Sequence, residues 1–407
     1  MCSVEAYQQS DPLVGAVLDG RYRVEVLIAT GGMSAVYRGL DLRLDRPVAL
    51  KIMDSRYAGD NQFLTRFQRE ARAVARLKDP GLVAVYDQGM DGQHPFLVME
   101  LIEGGTLREL LRERGPMPPH AVAAVLRPVL GGLAVAHRAG LVHRDIKPEN
   151  VLISDDGEVK IADFGLVRAI AEAKITSTSV ILGTAAYLSP EQVRTGDADP
   201  RSDVYSVGIM AYELLTGVTP FTGDSALAIA YQRIDNDVLP PSRMIAGVPA
   251  QFDDLVLHAT AREPANRYAD AHDMAAELDS VVEELGLPRF RVPAPRNSAQ
   301  HLSAALHHSQ LPPEHEAVTT KTARPQAQPM LAPRQHTREL TRDDWQPQEP
   351  EYEPVSGQFA GIDLDEFYWA RQRSRRALVF WVVAVLTLTG LVAAAAWTLG
   401  GNIGTLI

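Results

Sequence analysis

The sequence predicts an α+β domain, then a disordered tether, then one C-terminal transmembrane helix. Three observations carry this reading. Residues 22–286 alternate short apolar, strand-like runs with longer helical patterns. Residues 288–354 hold eleven of the 27 prolines, with many Gln, His, Ser and Thr and few large aliphatics. Such a stretch cannot bury enough apolar area to offset its ordering entropy. Residues 377–399 then run without a charged side chain.

Composition narrows the function classes. With 407 residues the chain has room for two or three domains at most. Its 46% hydrophobic and 22% charged residues support a sizeable core, which excludes a wholly disordered chain. A net charge of −11 argues against a nucleic-acid partner, which needs a basic face to neutralise phosphates. The single cysteine, Cys2, excludes an intramolecular disulfide and a cysteine-built zinc site, and fits a reducing compartment. Residues 1–12 have neither a basic start nor an apolar run, so no signal peptide is expected.

The first chemical signal is Ile28-Ala29-Thr30-Gly31-Gly32-Met33-Ser34-Ala35-Val36, between strand-like runs at 22–27 and 35–39. A glycine-rich hairpin lets backbone N–H groups approach phosphate oxygens without a Cβ in the way. Alone, such a pair of glycines is more often just a turn. The second signal is Val48-Ala49-Leu50-Lys51, an apolar strand ending in one ammonium. Its candidate partner is Glu70, in the helical pattern at 67–73, and an ion pair there would hold Lys51 against the α- and β-phosphates of a nucleotide.

The third signal is sharper. His143-Arg144-Asp145-Ile146-Lys147-Pro148-Glu149-Asn150 precedes a strand-like run at 151–153, and Asp163-Phe164-Gly165 follows an apolar stretch at 159–162. Of Asp145 and Asn150, one can accept a hydroxyl proton while the other coordinates Mg²⁺. Asp163 is placed to chelate the metal that bridges the phosphates, and hard oxygen ligands suit Mg²⁺, with Mn²⁺ as an alternative.

In this order, and with Ser189-Pro190-Glu191 beyond, these motifs resemble the eukaryotic-type protein kinases. Gly183-Thr184-Ala185-Ala186-Tyr187-Leu188-Ser189-Pro190-Glu191-Gln192 and Pro220-Phe221-Thr222-Gly223-Asp224 are similar to stretches of the actinobacterial membrane group. The resemblance implies a bilobal fold over 20–286, with a small β-rich N-lobe and a larger helical C-lobe. It implies a Ser/Thr protein kinase (EC 2.7.11.1) acting in signal transduction. ATP is its implied cofactor, and protein substrates with Ser/Thr acceptors are its partners.

Roles follow residue by residue from that resemblance. Lys51 pairs with the phosphates and with Glu70. Asp145 orients the substrate hydroxyl and accepts its proton, and Lys147 neutralises charge on the γ-phosphate. Asn150 and Asp163 hold Mg²⁺. Val36, Ala49 and Leu152 line the adenine slot, Met99 sits behind it, and the backbone of Glu100 and Leu101 bonds the adenine edge. Ile28, Gly31, Gly32 and Ser34 complete the nucleotide loop. Glu191 pairs with Arg267, and Asp203 braces the backbone at His143 and Arg144. The loop departs from the family pattern at Ala29 and Ser34, which replace its first and third glycines. The methyl of Ala29 is expected to restrict the loop entrance and weaken nucleotide binding. Lys51, Asp145, Asn150 and Asp163 are all present, which argues against a pseudokinase scaffold.

Lys147, two residues after Asp145, is the pattern of Ser/Thr rather than Tyr kinases. Between Asp163 and Glu191 lies the cluster Thr176, Ser177, Thr178, Ser179. By resemblance Thr176 and Thr178 are the expected autophosphorylation sites, with Arg144 receiving a phosphate. The kinase is expected to act on itself in trans, through a transient or stable dimer. The linker is expected at 287–370. The span at 377–399 measures about 35 Å at helical rise, against about 30 Å of hydrocarbon. Arg371, Arg373, Arg375 and Arg376 precede it and the tail at 400–407 is uncharged, so the kinase domain is expected in the cytoplasm of a single-pass cell-membrane protein, with the short tail outside. The same arginines can bind anionic membrane lipids.

Overall fold

A computed structural model of the chain describes residues 11–164, 185–223, 225–310, 358–359 and 362–363. Six strands come first: β1 (Val17–Leu18), β2 (Tyr22–Thr30), β3 (Ser34–Asp41), β4 (Arg46–Met53), β5 (Val85–Asp91) and β6 (His94–Met99). They form one antiparallel sheet in the order β1-β2-β3-β4-β6-β5. Side chains along a strand alternate between faces, and β4 uses both. Val48, Leu50 and Ile52 join a core with Tyr22, Val24 and Phe96. Ala49 and Met53 join a second core with Leu97, Met99 and the first helix, α1 (Asn61–Val74). The alternation puts Lys51 on that second face.

Helix α1 forms where the sequence dictates it. Asp60 caps it by accepting the N–H groups of Gln62 and Phe63. Phe63, Phe67, Ala71 and Val74 then recur at helical spacing and make its buried stripe.

The larger lobe follows β6. It comprises β7 (Gly104–Thr106), α2 (Leu107–Arg114), α3 (Pro119–Arg138), β8 (Val151–Ser154), β9 (Val159–Ile161), α4 (Pro190–Arg194), α5 (Pro200–Thr216), α6 (Ala226–Asp235), α7 (Ala250–Ala259) and α8 (Ala271–Glu284). Strands β7, β8 and β9 make a small sheet that presents the segments on either side of it to the sheet of the first lobe. Helix α5 is buried nearly all round and serves as the pillar of this lobe, ending on Gly217 at φ +80°. The bilobal α+β expectation is met.

Among the described residues one helix, α3, is long and apolar enough to cross a membrane, and two thirds of its apolar window is buried as core. The span expected at 377–399 and the tether at 311–357 lie outside the described residues. Between them, within the expected linker, Gln358–Phe359 pairs antiparallel with Ile362–Asp363.

The expected start of the linker at 287 is corrected. The described fold continues through residue 310 and includes a further helix, α9 (Ala299–Gln310). Leu287 and Val292 are buried in the main core, and Ser298, Gln300 and Ser303 are buried polar residues. Proline content misled the reading because this segment does not build its own core. It borrows apolar contact from the finished lobe.

Arg267 ties that lobe together. Its Nη1 and Nη2 donate to Glu191 Oε1 and Oε2, each at 2.9 Å, and its Nε donates to Ala261 O at 2.6 Å. Burial pushes the Glu191 carboxyl up, but hydrogen bonds from Arg267 and Ser202 outweigh it and hold the group below its usual range. The implied Glu191–Arg267 pair is formed. Arg267→Met leaves a largely buried carboxylate uncompensated and is expected to cost about 3 kcal/mol in urea unfolding at pH 7. Because the folded carboxyl is depressed, its stabilisation is present above the unfolded value of about 4.3 and is lost as pH falls through the folded value. The stability of Arg267→Met is therefore expected to fall less steeply than that of the parent on the acid side.

Candidate active site

The site lies where the two lobes meet, and each wall has a local origin. Its roof is the β2–β3 hairpin. Ile28, Ala29 and Thr30 end β2, Gly31, Gly32 and Met33 make the turn, and Ser34 and Val36 lie at the start of β3. Gly31 N–H donates to Ser34 O at 2.7 Å, and Asp54 N–H anchors the turn through Met33 O at 3.0 Å. Ala29 pairs with Val36 in the β ladder, and its φ is not positive. A methyl is at home in that strand conformation, so Ala29 imposes no left-handed backbone on the loop entrance.

Val36, Ala49, Met99, Leu101 and Leu152 all fall in one apolar cluster. They come together because Ala49 faces Met99 across β4–β6, while β8 brings Leu152 from the other lobe. Ile102 and Ala162 line the same cluster, and the sequence reading did not include them. Glu100 N–H donates to Ala84 O at 2.9 Å. Among the described residues no acceptor takes the backbone N–H of Leu101 or Ile102, which leaves a polar edge beside the apolar slot. Glu100 Oε1 accepts Lys160 Nζ at 2.6 Å, a bond across 60 positions that no local signal announces.

The floor is held by histidine and carboxylate. Asp203, fully buried, accepts His143 N–H and Arg144 N–H at 2.7 Å each, which is the implied brace. It also accepts from His137 Nε2 at 2.9 Å, whose Nδ1 takes Ala271 N–H, so His137 is the neutral Nε2–H tautomer. Arg144 adopts φ +69°, and the brace stabilises that left-handed backbone. Gln192 Nε2 adds a bond to Arg144 O at 3.1 Å. His143 Nδ1 accepts Asp145 N–H at 3.3 Å, and Nε2 meets Ala162 O at 3.1 Å. Burial pushes His143 below the usual histidine value, and it stays neutral.

Through His143 the floor reaches Asp163. Ala162 N–H donates to Asn150 O at 2.8 Å, and the His143 and Phe164 rings lie 4.7 Å apart. Asp145 Oδ2 accepts Lys147 Nζ at 2.8 Å. Asn150 Nδ2 donates to Asp145 O at 2.7 Å and Oδ2 at 3.1 Å, so Oδ1 is its remaining acceptor. Asp163, at φ +61°, accepts Lys51 Nζ on Oδ1 at 2.7 Å. Burial pushes the Asp163 carboxyl up, but the Lys51 ammonium outweighs it and holds the group ionised, below its usual range. Lys51, Asp145, Lys147, Asn150 and Asp163 are therefore gathered at one cleft. Asn150 Oδ1 and the Asp163 carboxylate are hard oxygens that fit a Mg²⁺ completed by phosphate and water.

One pairing differs from expectation. Among the described residues the ion pair of Lys51 is with Asp163, and the expected Lys51–Glu70 pair is not formed. The Lys51 ammonium is only 8% exposed, and the Asp163 carboxylate at 2.7 Å offsets its charge. Glu70 sits half-buried near the end of α1. Thr176, Thr178 and Thr184 lie outside the described residues. Sequence reasoning also missed a network around Arg108, whose guanidinium bonds Glu149 at 2.8 Å and Glu213 at 2.6 Å, with Tyr187 hydroxyl between Arg108 and Glu213. It ties α2 and α5 to the segment carrying Asp145.

The comparisons with known proteins agree with this geometry. The family model described as "Protein kinase domain" matches residues 22–277, more than half of the chain. The chain is 69% identical, over 98% of both chains, to "Serine/threonine-protein kinase PknL" of Mycobacterium tuberculosis strain H37Rv. It is 44% identical over 269 residues to "Serine/threonine-protein kinase PknB" of Mycobacterium leprae, covering 65% of this chain and 43% of that one. The crystal structure of the Mycobacterium tuberculosis PknI kinase domain superposes with a TM-score of 0.53 at 26% identity, covering 66% of this chain and 98% of that one.

Asp203→Asn keeps the size of the brace but cannot accept from three donors at once. It is expected to lower kcat about 100-fold by misplacing Asp145, while thermal unfolding shifts by only a few degrees. Steady-state kinetics beside a melting curve reads both.

Proposed function

The chain belongs to the protein kinase domain family and is a protein serine/threonine kinase, and on that premise we propose that it is a membrane-anchored signalling kinase that phosphorylates proteins and itself. The observation that carries the chemistry is the convergence of Lys51, Asp145, Asn150 and Asp163 around His143. ATP lies with adenine between Val36, Ala49 and Leu152, in front of Met99. Lys51 holds the α- and β-phosphates. Mg²⁺, when bound by Asn150 and Asp163, neutralises phosphate charge.

The hydroxyl oxygen of a substrate Ser or Thr bonds to the γ-phosphorus. The bond from that phosphorus to the ADP oxygen breaks, and ADP leaves with the electron pair. The hydroxyl proton passes to Asp145 Oδ. Lys147, 2.8 Å from Asp145, meets the charge on the transferring group. Positioning and charge stabilisation supply most of the acceleration.

Three finer parts of the reading rest on sequence. Thr176 and Thr178 are autophosphorylated and answered by Arg144, whose backbone is set by Asp203 and whose guanidinium suits a phosphate. Residues 377–399 anchor the chain, with the arginines at 371–376 on the cytoplasmic side against anionic lipid. A flexible linker of the length expected from the sequence reaches about 50 Å, enough for transfer between neighbouring copies.

Incorporation of γ-labelled phosphate into a protein acceptor is expected from the purified chain with Mg²⁺-ATP and is expected to vanish in Asp145→Asn. Label appearing on a simple alcohol but on no protein would sink the reading. The double variant Thr176→Ala, Thr178→Ala is expected to lose about tenfold or more of its activity on an added substrate, and unchanged activity would remove the switch. A chain ending at residue 376 is expected to leave the membrane fraction, and its retention there would contradict the anchor.

A further inference from the structure

Residues 287–310 cross from the large lobe to the small one along the back of the cleft. Leu287 and Val292 begin the path in the main core. Arg291 Nε donates to Asp156 O at 2.7 Å, and the backbone passes so close to Gly157 that a Cβ there would lie 2.6 Å from Arg291 Cγ and 2.9 Å from Val292 O. Arg296 N–H donates to Glu113 Oε2 at 2.7 Å. At Gly105 a Cβ would lie 2.5 Å from Pro295 Cγ and 2.6 Å from Ser298 Cβ. Two glycines of the large lobe are thus shaped to the segment that crosses them.

Ser298 is the knot of this path. It is fully buried, its hydroxyl donates to Gly104 O, and its Oγ accepts His301 N–H at 3.0 Å to cap α9. Glu109 Oε1 accepts Ala299 N–H at 2.9 Å, while its Oε2 accepts Thr106 N–H at 2.8 Å. His301 Nε2 meets Asp155 Oδ1 at 2.9 Å. From that knot α9 packs against both β7 and β2. Strand β7 follows the segment that edges the adenine slot and pairs with β8, where Thr106 faces Leu152. Strand β2 carries Ile28 and Ala29 of the roof.

We propose that residues 287–310 form a strap that sets the spacing between roof and floor of the nucleotide cleft, with Ser298 as its positioning residue. This rests on reading the cleft as the ATP site. Ser298 touches neither nucleotide nor acceptor in that reading, so it acts on nucleotide affinity and not on the transfer step.

The test uses the full chain in detergent. Direct titration with a fluorescent ADP analogue is paired with steady-state kinetics and amide exchange. Ser298→Ala is expected to raise the ADP Kd and the ATP KM about five- to tenfold, with kcat and the KM for a peptide acceptor within about twofold of the parent. Exchange is expected to quicken in β2 as well as at 299–305. Should Ser298→Ala destabilise the chain, Arg291→Ala at the solvent-exposed end of the strap is expected to show the same split at about twofold. An unchanged Kd in both variants, or a fall in kcat at unchanged Kd, overturns the strap while leaving the kinase reading intact. Failure of the parent chain to bind the ADP analogue overturns the cleft reading first and the strap with it.

Discussion

A single buried carboxylate holds the catalytic segment in a backbone shape it would not keep alone. Asp203 reaches up from the first turn of α5, a helix buried on every side, and takes two consecutive N–H groups together with a neutral imidazole. Those bonds stabilise the positive φ of Arg144 and so decide where the next residue, Asp145, points. Leaving such donors unpaired inside a protein costs about 1–3 kcal/mol each, which is the force available to keep the strained turn in place. The pillar helix therefore does more than fill the lobe. It gives the reacting carboxylate a rigid base.

From that base the chemistry spreads by short links. His143 reads the Asp145 backbone with one ring nitrogen and the Ala162 carbonyl with the other, so the segment with the acceptor carboxylate and the strand leading to Asp163 move as one piece. The Lys51–Asp163 pair then bridges to the small lobe. Its ammonium holds the carboxylate ionised in spite of burial, the form a metal requires. Roof and floor are thus linked on the front of the cleft by one charge pair and on its back by the segment through Ser298.

How much of this was legible depends on the range of each interaction. The motif at 143–150 and Asp163 were readable because short spacing places those groups almost unaided, whereas the apolar slot was reached by resemblance to a family. The Asp203 brace and the Glu191–Arg267 pair were reached only by resemblance to a family, since their partners lie far apart in the chain. Among the described residues Lys51 pairs with Asp163 rather than with Glu70, a choice of partner that no local pattern encodes. The linker boundary failed for a related reason. Proline and polar residues at 287–303 look disordered when judged by their own composition, yet Gly105 and Gly157 leave room for them. Arg108 with Glu149, Tyr187 and Glu213, and Lys160 with Glu100, carried no signal because each charge alone looks like solvated surface.

The central claim is that one amine, two metal-binding oxygens and one proton-accepting carboxylate act on a single nucleotide. Anomalous diffraction from crystals of the protein with Mn²⁺ and a non-hydrolysable ATP analogue tests it most directly. The account predicts a metal peak within about 2.0–2.6 Å of Asn150 Oδ1 and an Asp163 oxygen, with Lys51 Nζ on the α- and β-phosphates. A nucleotide bound elsewhere, or a metal held without Asn150 and Asp163, would contradict it.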